Sequence, residues 1–313
     1  MAAEDIGTLA GLVQINDMNN VELEVSDLLQ DAPLIAALVA VPASNGTNHS
    51  YTKETVAEGV GFREVNAGVT NTNSSDLEVA SVLKALDASF DVDTALARKD
   101  RGGSEAYIAK RIKRKLKAAM FAMESQIVYG TGAVAGGFAG LFDNAALNGL
   151  ADGMVVQPGT PGTTVGGQTS VIFIRTTEDD CAFVAGNDGE ITVDDPVIIQ
   201  KVVNPGEDNK VYGAFFTNII GWGGIQYGSA FSVARIANVE TSLTGDDMSK
   251  ALALFPSNRQ PNVIAMNRQA LELWRKSRTA VNTDGTEAPR PNIFEGIPVI
   301  STDSLLNTEA IVA

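Results

Sequence analysis

"SEAYIAKRIKRKLKAAMFAMESQIVYG", Ser104 to Gly130, places six Lys or Arg residues between Lys110 and Lys117. The chain around it is acidic, with 38 Asp and Glu against 23 Lys and Arg and a formal net charge of -15. The stretch reads as one helix, with Ser104 placed to cap it and Gly130 to stop it. About 25 residues at about 1.5 Å each make a rod of roughly 38 Å. At about 100° per residue, Ile108, Ile112, Leu116, Ala119, Met123 and Ile127 share one face. Lys110, Lys113, Arg114 and Lys117 fall nearly opposite, with Arg111 and Lys115 beside them. The result is a spine with one apolar and one basic stripe.

Upstream, residues 1–19 have weak periodicity and read as an extended or mobile arm. Asn20 is placed to cap a helix over "VELEVSDLLQ", and Asp31 a second over "APLIAALVAV" that Pro42 stops. From His49 to about Val92 the pattern changes. "HSYTKETV" reads as one strand, and "EVASVLKALDASFDVDT" alternates well enough for another. The polar, Gly- and Asn-rich "AEGVGFREVNAGVTNTNSSD" lies between them. A two-stranded ribbon of this kind is marginal alone in water and needs a platform. Nothing in its own chain suggests one, so the ribbon must lie on something else.

Downstream, residues 130–140 form a Gly-rich link. Residues 170–240 read as strands: "SVIFIRT", "CAFVAG", "PVIIQKVV", the turn "NPGEDN", "KVYGAFFTNIIGWGGIQY" and "FSVARIANV". Then come a helix over Asp246–Phe255, a buried strand over Asn262–Met266, and a helix "RQALELWRKSR" capped by Asn267. The chain closes with a strand "GIPVIST" and the segment "DSLLNTEAIVA".

Several chemistries find no support in the residues. The single cysteine, Cys181, cannot make an internal disulfide, and the single histidine, His49, cannot build a His-based metal cluster within one chain. Asp179 and Asp180 precede Cys181 and disfavour a thiolate, so it reads as a small core residue. The Gly cluster at 130–140 follows a helix rather than a strand and lacks a following GK[ST], so it is a linker and not a phosphate cradle. The acidic pairs Asp179/Asp180, Asp194/Asp195 and Asp246/Asp247 read as turns or caps. No enzyme activity, cofactor or metal is expected. The longest apolar run, residues 32–43, is too short to span a bilayer. The acidic start "MAAEDIGTLAG" has no signal-peptide pattern, so synthesis in a cytoplasm is expected. The acidic balance argues against tight nucleic-acid binding by the protein as a whole.

The joint order of these pieces resembles the major capsid proteins of tailed bacteriophages, with the Hong Kong 97-type fold. The residues that carry the resemblance are "DLLQDAPLIAALVAVPASNGTNHSYTKET", "GVGFREVNAGV", "LKALDASFDVD", the spine, "GTG…FAGLFD" after it, "FSVARIANV", "NVIAMNRQALELW" and "GIPVISTDSLLNTEA". The resemblance implies an α+β fold with residues 1–48 as an N-terminal arm and 49–95 as the E-loop ribbon. It implies a P-domain from 96–134 and 170–242, with the spine helix at 104–129, and an A-domain from 135–169 and 243–313. The chain ends soon after "GIPVIST", so the P-domain strands are expected earlier in the chain than in the commonest members, a permuted order.

By the same resemblance the protein is expected to self-assemble into pentamers and hexamers of an icosahedral head enclosing double-stranded DNA, and to be found in the virion. An encapsulin-like nanocompartment shell is the alternative. The implied partners are further copies of itself, portal and scaffolding proteins, a cement or decoration protein, and packaged DNA in weak non-specific contact; no membrane is implied. The inter-subunit residues of the E-loop are expected to be Lys53, Glu54, Glu58, Phe62, Arg63, Glu64, Asp76 and Glu78. Nothing near Lys53 or Lys84 marks the Lys–Asn cross-link that some relatives form. The basic stripe Lys110, Arg111, Lys113, Arg114, Lys115 and Lys117 has three readings: a solvated face, a seat for a neighbour's acidic groups, or a contact with packaged DNA.

Overall fold

A computed structural model describes residues 31–56, 58–68, 73–134, 136–151, 153–186, 189, 191–203, 210–278 and 290–313. The expected arm at 1–19, the helix over "VELEVSDLLQ" and the turn at 204–209 lie outside these residues. The strands in chain order are β1 (Ala40–Pro42), β2 (Asn48–Val56), β3 (Ser75–Val82), β4 (Lys84–Asp87), β5 (Phe90–Asp93), β6 (Val155–Val156), β7 (Thr169–Ile174) and β8 (Cys181–Ala185). They continue with β9 (Thr192–Val193), β10 (Val197–Val203), β11 (Lys210–Thr217), β12 (Ile219–Tyr227), β13 (Val233–Val239), β14 (Val263–Met266), β15 (Ile293–Phe294) and β16 (Ile297–Ser301). The spine helix runs Gly103–Tyr129, and the chain divides into two compact units.

One unit contains Ala85–Ala122 and Glu190–Gly221. Its sheet is antiparallel in the order β10-β11-β5. The first half of the spine lays Tyr107 and Ile108 into a core with Phe90, Val92, Leu96, Ala97 and Ile219. Ile112, Leu116 and Phe215 pack on the edge of that core. The apolar stripe read from the sequence is thus the buried face of the helix here. Asp93 opens the short helix Thr94–Ala97 by accepting a hydrogen bond from the Ala95 N–H at 2.7 Å.

The other unit contains Ala32–Lys84, Met123–Gly189 and Trp222–Ala313. Its largest sheet has six strands in the order β15-β16-β14-β7-β13-β6. Every residue of β7, β13 and β14 is buried. Their near-continuous apolar sequences are what a strand covered on both faces requires. The end of the spine contributes Met123, Ile127 and Val128 to this unit's core. Gly130 takes φ 54°, the left-handed stop expected of it. Asn267 accepts from the Ala270 N–H and caps the helix Arg268–Lys276, also as expected.

Two expectations need correction. The helix expected over 32–41 is only Pro33–Ala37, and the chain then becomes β1, parallel to β8. The run Val39–Val41 is β-rich and Pro42 lacks an N–H, so an edge strand suits these residues better than a longer helix. The ribbon, second, does have a platform for its root. His49 Nε2 is 2.8 Å from Gln226 Oε1, the Tyr51 hydroxyl donates to the Tyr227 carbonyl at 3.1 Å, and the Ser81 hydroxyl donates to the Ile225 carbonyl at 3.3 Å. Strand pairing also joins segments from both sides of 242/243. β7 and β13, placed by sequence with the spine, share a sheet with β14 and β16. Apolar runs announce a buried strand but not its partner, because strand pairing is a long-range choice.

Candidate functional site

The ribbon is antiparallel, with Asn48 opposite Val82, Lys53 opposite Leu77 and Glu54 opposite Asp76. Its root is held by inward-facing His49 and by the buried Leu83 beside β3. Lys53 Nζ lies 5.5 Å from the centre of the Tyr227 ring, a contact within its own chain. Beyond the root the character reverses. Glu58, Arg63 and Glu64 are exposed, as are Asp76 and Glu78 on β3. Between them Val60, Phe62 and Val65 stand at 97%, 108% and 90% of full exposure. Asn66 takes φ 66°, and the Arg63 guanidinium donates to the Ala67 carbonyl at 3.3 Å, which folds the tip locally. Large apolar side chains held away from any core mark a contact surface.

The six basic residues of the spine fall into two groups. Lys113 and Lys117 are exposed, and neither has a salt-bridge partner among the described residues. The other four are half-buried. Lys110 Nζ is 4.0 Å from the buried carboxylate of Asp100. The Arg111 guanidinium lies 6.0 Å from the Phe90 ring centre. The Ser89 hydroxyl and N–H hold Asp87 below the usual carboxylate range, and the charge of Lys115 adds to that effect.

The sequence search passed over two buried clusters that tie distant segments together. Glu124, fully buried, accepts from the Leu34 and Ile35 N–H groups at 2.9 and 3.2 Å and from the Thr302 hydroxyl. It therefore supplies the cap that the helix Pro33–Ala37 lacks locally. Arg235 donates to Glu309 Oε2 at 3.0 Å, to Ser170 Oγ at 2.9 Å and to the Leu147 carbonyl at 2.9 Å. The Tyr129 hydroxyl donates to Glu309 Oε1 at 2.6 Å. Burial, with the Glu309 charge, pushes the Tyr129 phenol far above its ordinary value. Burial also lowers Arg235, against the pull of Glu309.

The sequence matches the family described as major capsid protein GP7 over residues 17–313. This chain belongs to that family. No curated protein sequence matches it. Among solved structures, a chain of bacteriophage Epsilon15 superposes with a TM-score of 0.69 at 18% identity, covering 100% of this chain and 99% of that one. A chain from the capsid of bacteriophage JBD30, decorated with minor capsid protein trimers, gives 0.51 at 13% identity and covers 96% and 99%. The SrpI encapsulin of Synechococcus elongatus PCC 7942 gives 0.44 at 12% identity over 73% and 95%, too low to bear on the choice between shells.

The capsid protein therefore has the mixed helix-and-sheet fold that the resemblance implied, and a structural role in a virion. No helix among the described residues is long and apolar enough to cross a membrane. The single histidine is part of the ribbon root. Burial and Asp180 push the Cys181 thiol up to about 12, so it is an inert core residue. Asp247 accepts from the Thr244 hydroxyl in a capping box, the cap role expected of that acidic pair. The missed residues left unequal signals. Glu124 falls on the same side of the wheel as Lys113 and Lys117 and so reads as one more surface charge, whereas Arg235 interrupts an apolar strand. A charge in such a place needs a partner, which spacing alone does not name.

Proposed function

We propose that this capsid protein tiles an icosahedral head as pentamers and hexamers around double-stranded DNA, each copy laying its ribbon tip on an adjacent copy. The supporting observation is the tip itself: Val60, Phe62 and Val65 are fully exposed on a ribbon whose root is locked to its own chain. A second copy provides the missing cover through a heterologous contact repeated around the capsomer. In this assignment the peripheral domain comprises the spine and the sheet β10-β11-β5. The axial domain comprises the six-stranded sheet, so β7 and β13 move from the former to the latter relative to the sequence expectation. The E-loop is the ribbon, and the segment before it is the arm. Portal, scaffolding and decoration proteins are the further partners, with synthesis in the host cytoplasm.

The basic stripe then seats acidic groups of the neighbouring ribbon, among Glu58, Glu64, Asp76 and Glu78. Lys113 and Lys117 are the members free for that task, whereas Lys110 already faces Asp100 within its own chain. Replacing Val60, Phe62 and Val65 by Ser should leave the circular dichroism spectrum unchanged and abolish shells in electron micrographs. Normal shells from that variant would refute the ribbon contact. The double variant Lys113→Gln, Lys117→Gln should impair assembly of a folded chain. Normal shells that package less DNA would instead assign the stripe to the genome.

A further inference from the structure

Strand β10 is the outer strand of the sheet β10-β11-β5, so one side of its backbone has no strand partner among the described residues. Natural edges are usually blunted by proline, by an unpaired charge or by brevity. Strand β10 has seven residues, Val-Ile-Ile-Gln-Lys-Val-Val, and no proline. Its one charge, Lys201, is engaged by Asp91 of the same sheet. The strand is long, apolar and open.

The face carrying Ile198, Gln200 and Val202 is uncovered as well. Ile198 is 58% exposed and Val202 40%. On β11 Val211 lies opposite Val202 and is 59% exposed, while Phe215 lies opposite Ile198 and reaches the spine core. An apolar band thus starts at the core and runs out to a bare edge.

The order of residues along β10 says what completes the band. It is self-complementary about Gln200. If a second copy is laid antiparallel with Gln200 opposite Gln200, Ile198 falls opposite Val202 of the other copy, and Val202 opposite Ile198. The band then continues as Phe215–Ile198 into Val202–Val211 of the second copy, and the same in reverse. We infer that β10 pairs with β10 of a second copy across a local twofold axis, joining two three-stranded sheets into one of six strands. A shift by one residue would place apolar side chains opposite the wrong face, so the register is specified. Such a contact is isologous and differs from the ribbon contact, which is heterologous. The inference rests on the reading that copies assemble, but not on where the ribbon tip lands.

The pairing makes position 200 face its own symmetry mate. Opposite Cα atoms in an antiparallel pair are about 4.5–5.5 Å apart, within the span of a disulfide. Gln200 is exposed, so Gln200→Cys should fold, and the native Cys181 is fully buried. Mild oxidation of assembled full-length Gln200→Cys should give a covalent dimer on a non-reducing gel. Ile198→Cys alone should give about tenfold less, because its own mate lies about 13 Å away along the pair. The double variant Ile198→Cys, Val202→Cys should restore the dimer. Shells without a Gln200→Cys dimer would overturn the twofold pairing while leaving the ribbon reading intact. Equal cross-linking of Gln200→Cys and Ile198→Cys would overturn it too. A chain that forms no shells is tested in solution, where a Gln200→Cys dimer supports the pairing and a monomeric product overturns it.

Discussion

Buried charge is where single residues matter most in this protein. Glu124 and Arg235 lie in apolar surroundings and are tolerated because each is fully engaged. Removing one member strands the rest. Glu309→Ala should cost about 3–5 kcal/mol in a urea titration, because it leaves the Arg235 guanidinium buried without its carboxylate. Glu124→Ala should cost less, about 1–3 kcal/mol, the penalty for unsatisfied N–H groups at Leu34 and Ile35. Limited proteolysis of that variant should begin near residues 33–42; protection equal to the parent would refute the capping role. Glu240 behaves differently because it is a pinning residue. Hydrogen bonds from the Thr164 hydroxyl and N–H, then from Gln168, hold its carboxyl down to about 2 from the usual 4.5. Its folded value lies below its unfolded one, so its contribution is present above about pH 4.5 and fades as the pH falls toward 2. Glu240→Gln should flatten the acid limb of the stability curve over that window. An unchanged limb would remove Glu240 from the pH response.

Among the elements, the spine was the most legible and the ribbon the least complete. An apolar period of 3.6 and a terminal glycine specify the helix locally, whereas Ser104, read as its cap, lies inside the helix Gly103–Tyr129. Gly130→Ala should therefore be severe. The left-handed backbone alone costs about 1–2 kcal/mol for a residue with a Cβ. The added carbon would also run into the Asp143 carboxylate and the Gly140 N–H. Thermal denaturation should show a clear loss for Gly130→Ala and little for the exposed Gly166→Ala, beyond that residue's own φ of 72°. The ribbon's strands were readable from alternation, but its root was not. His49, Tyr51 and Ser81 reach partners some 144 to 177 residues away, and no local pattern encodes such distances.

For the whole molecule, composition set the class and pairing set the architecture. The net charge of -15 beside a basic spine makes any contact between stripe and ribbon electrostatic in part. Such a contact between exposed charges is screened as the Debye length shrinks from about 10 Å at 0.1 M salt to about 3 Å at 1 M. Shell assembly should therefore slow in high salt in the parent and respond less in the Lys113→Gln, Lys117→Gln variant, as followed by light scattering. Identical salt dependence would deny the stripe a role in assembly. The spine, the buried strands, the caps at Gly130 and Asn267, and the capsid family were all readable along the chain, because each is written in neighbouring residues or in their order. Which strands share a sheet, the reach of Glu124 back to residues 34 and 35, and the edge of β10 left without a strand partner among the described residues emerge only on folding. These depend on chain segments far apart in sequence, and a periodic pattern fixes which face is buried without fixing what buries it.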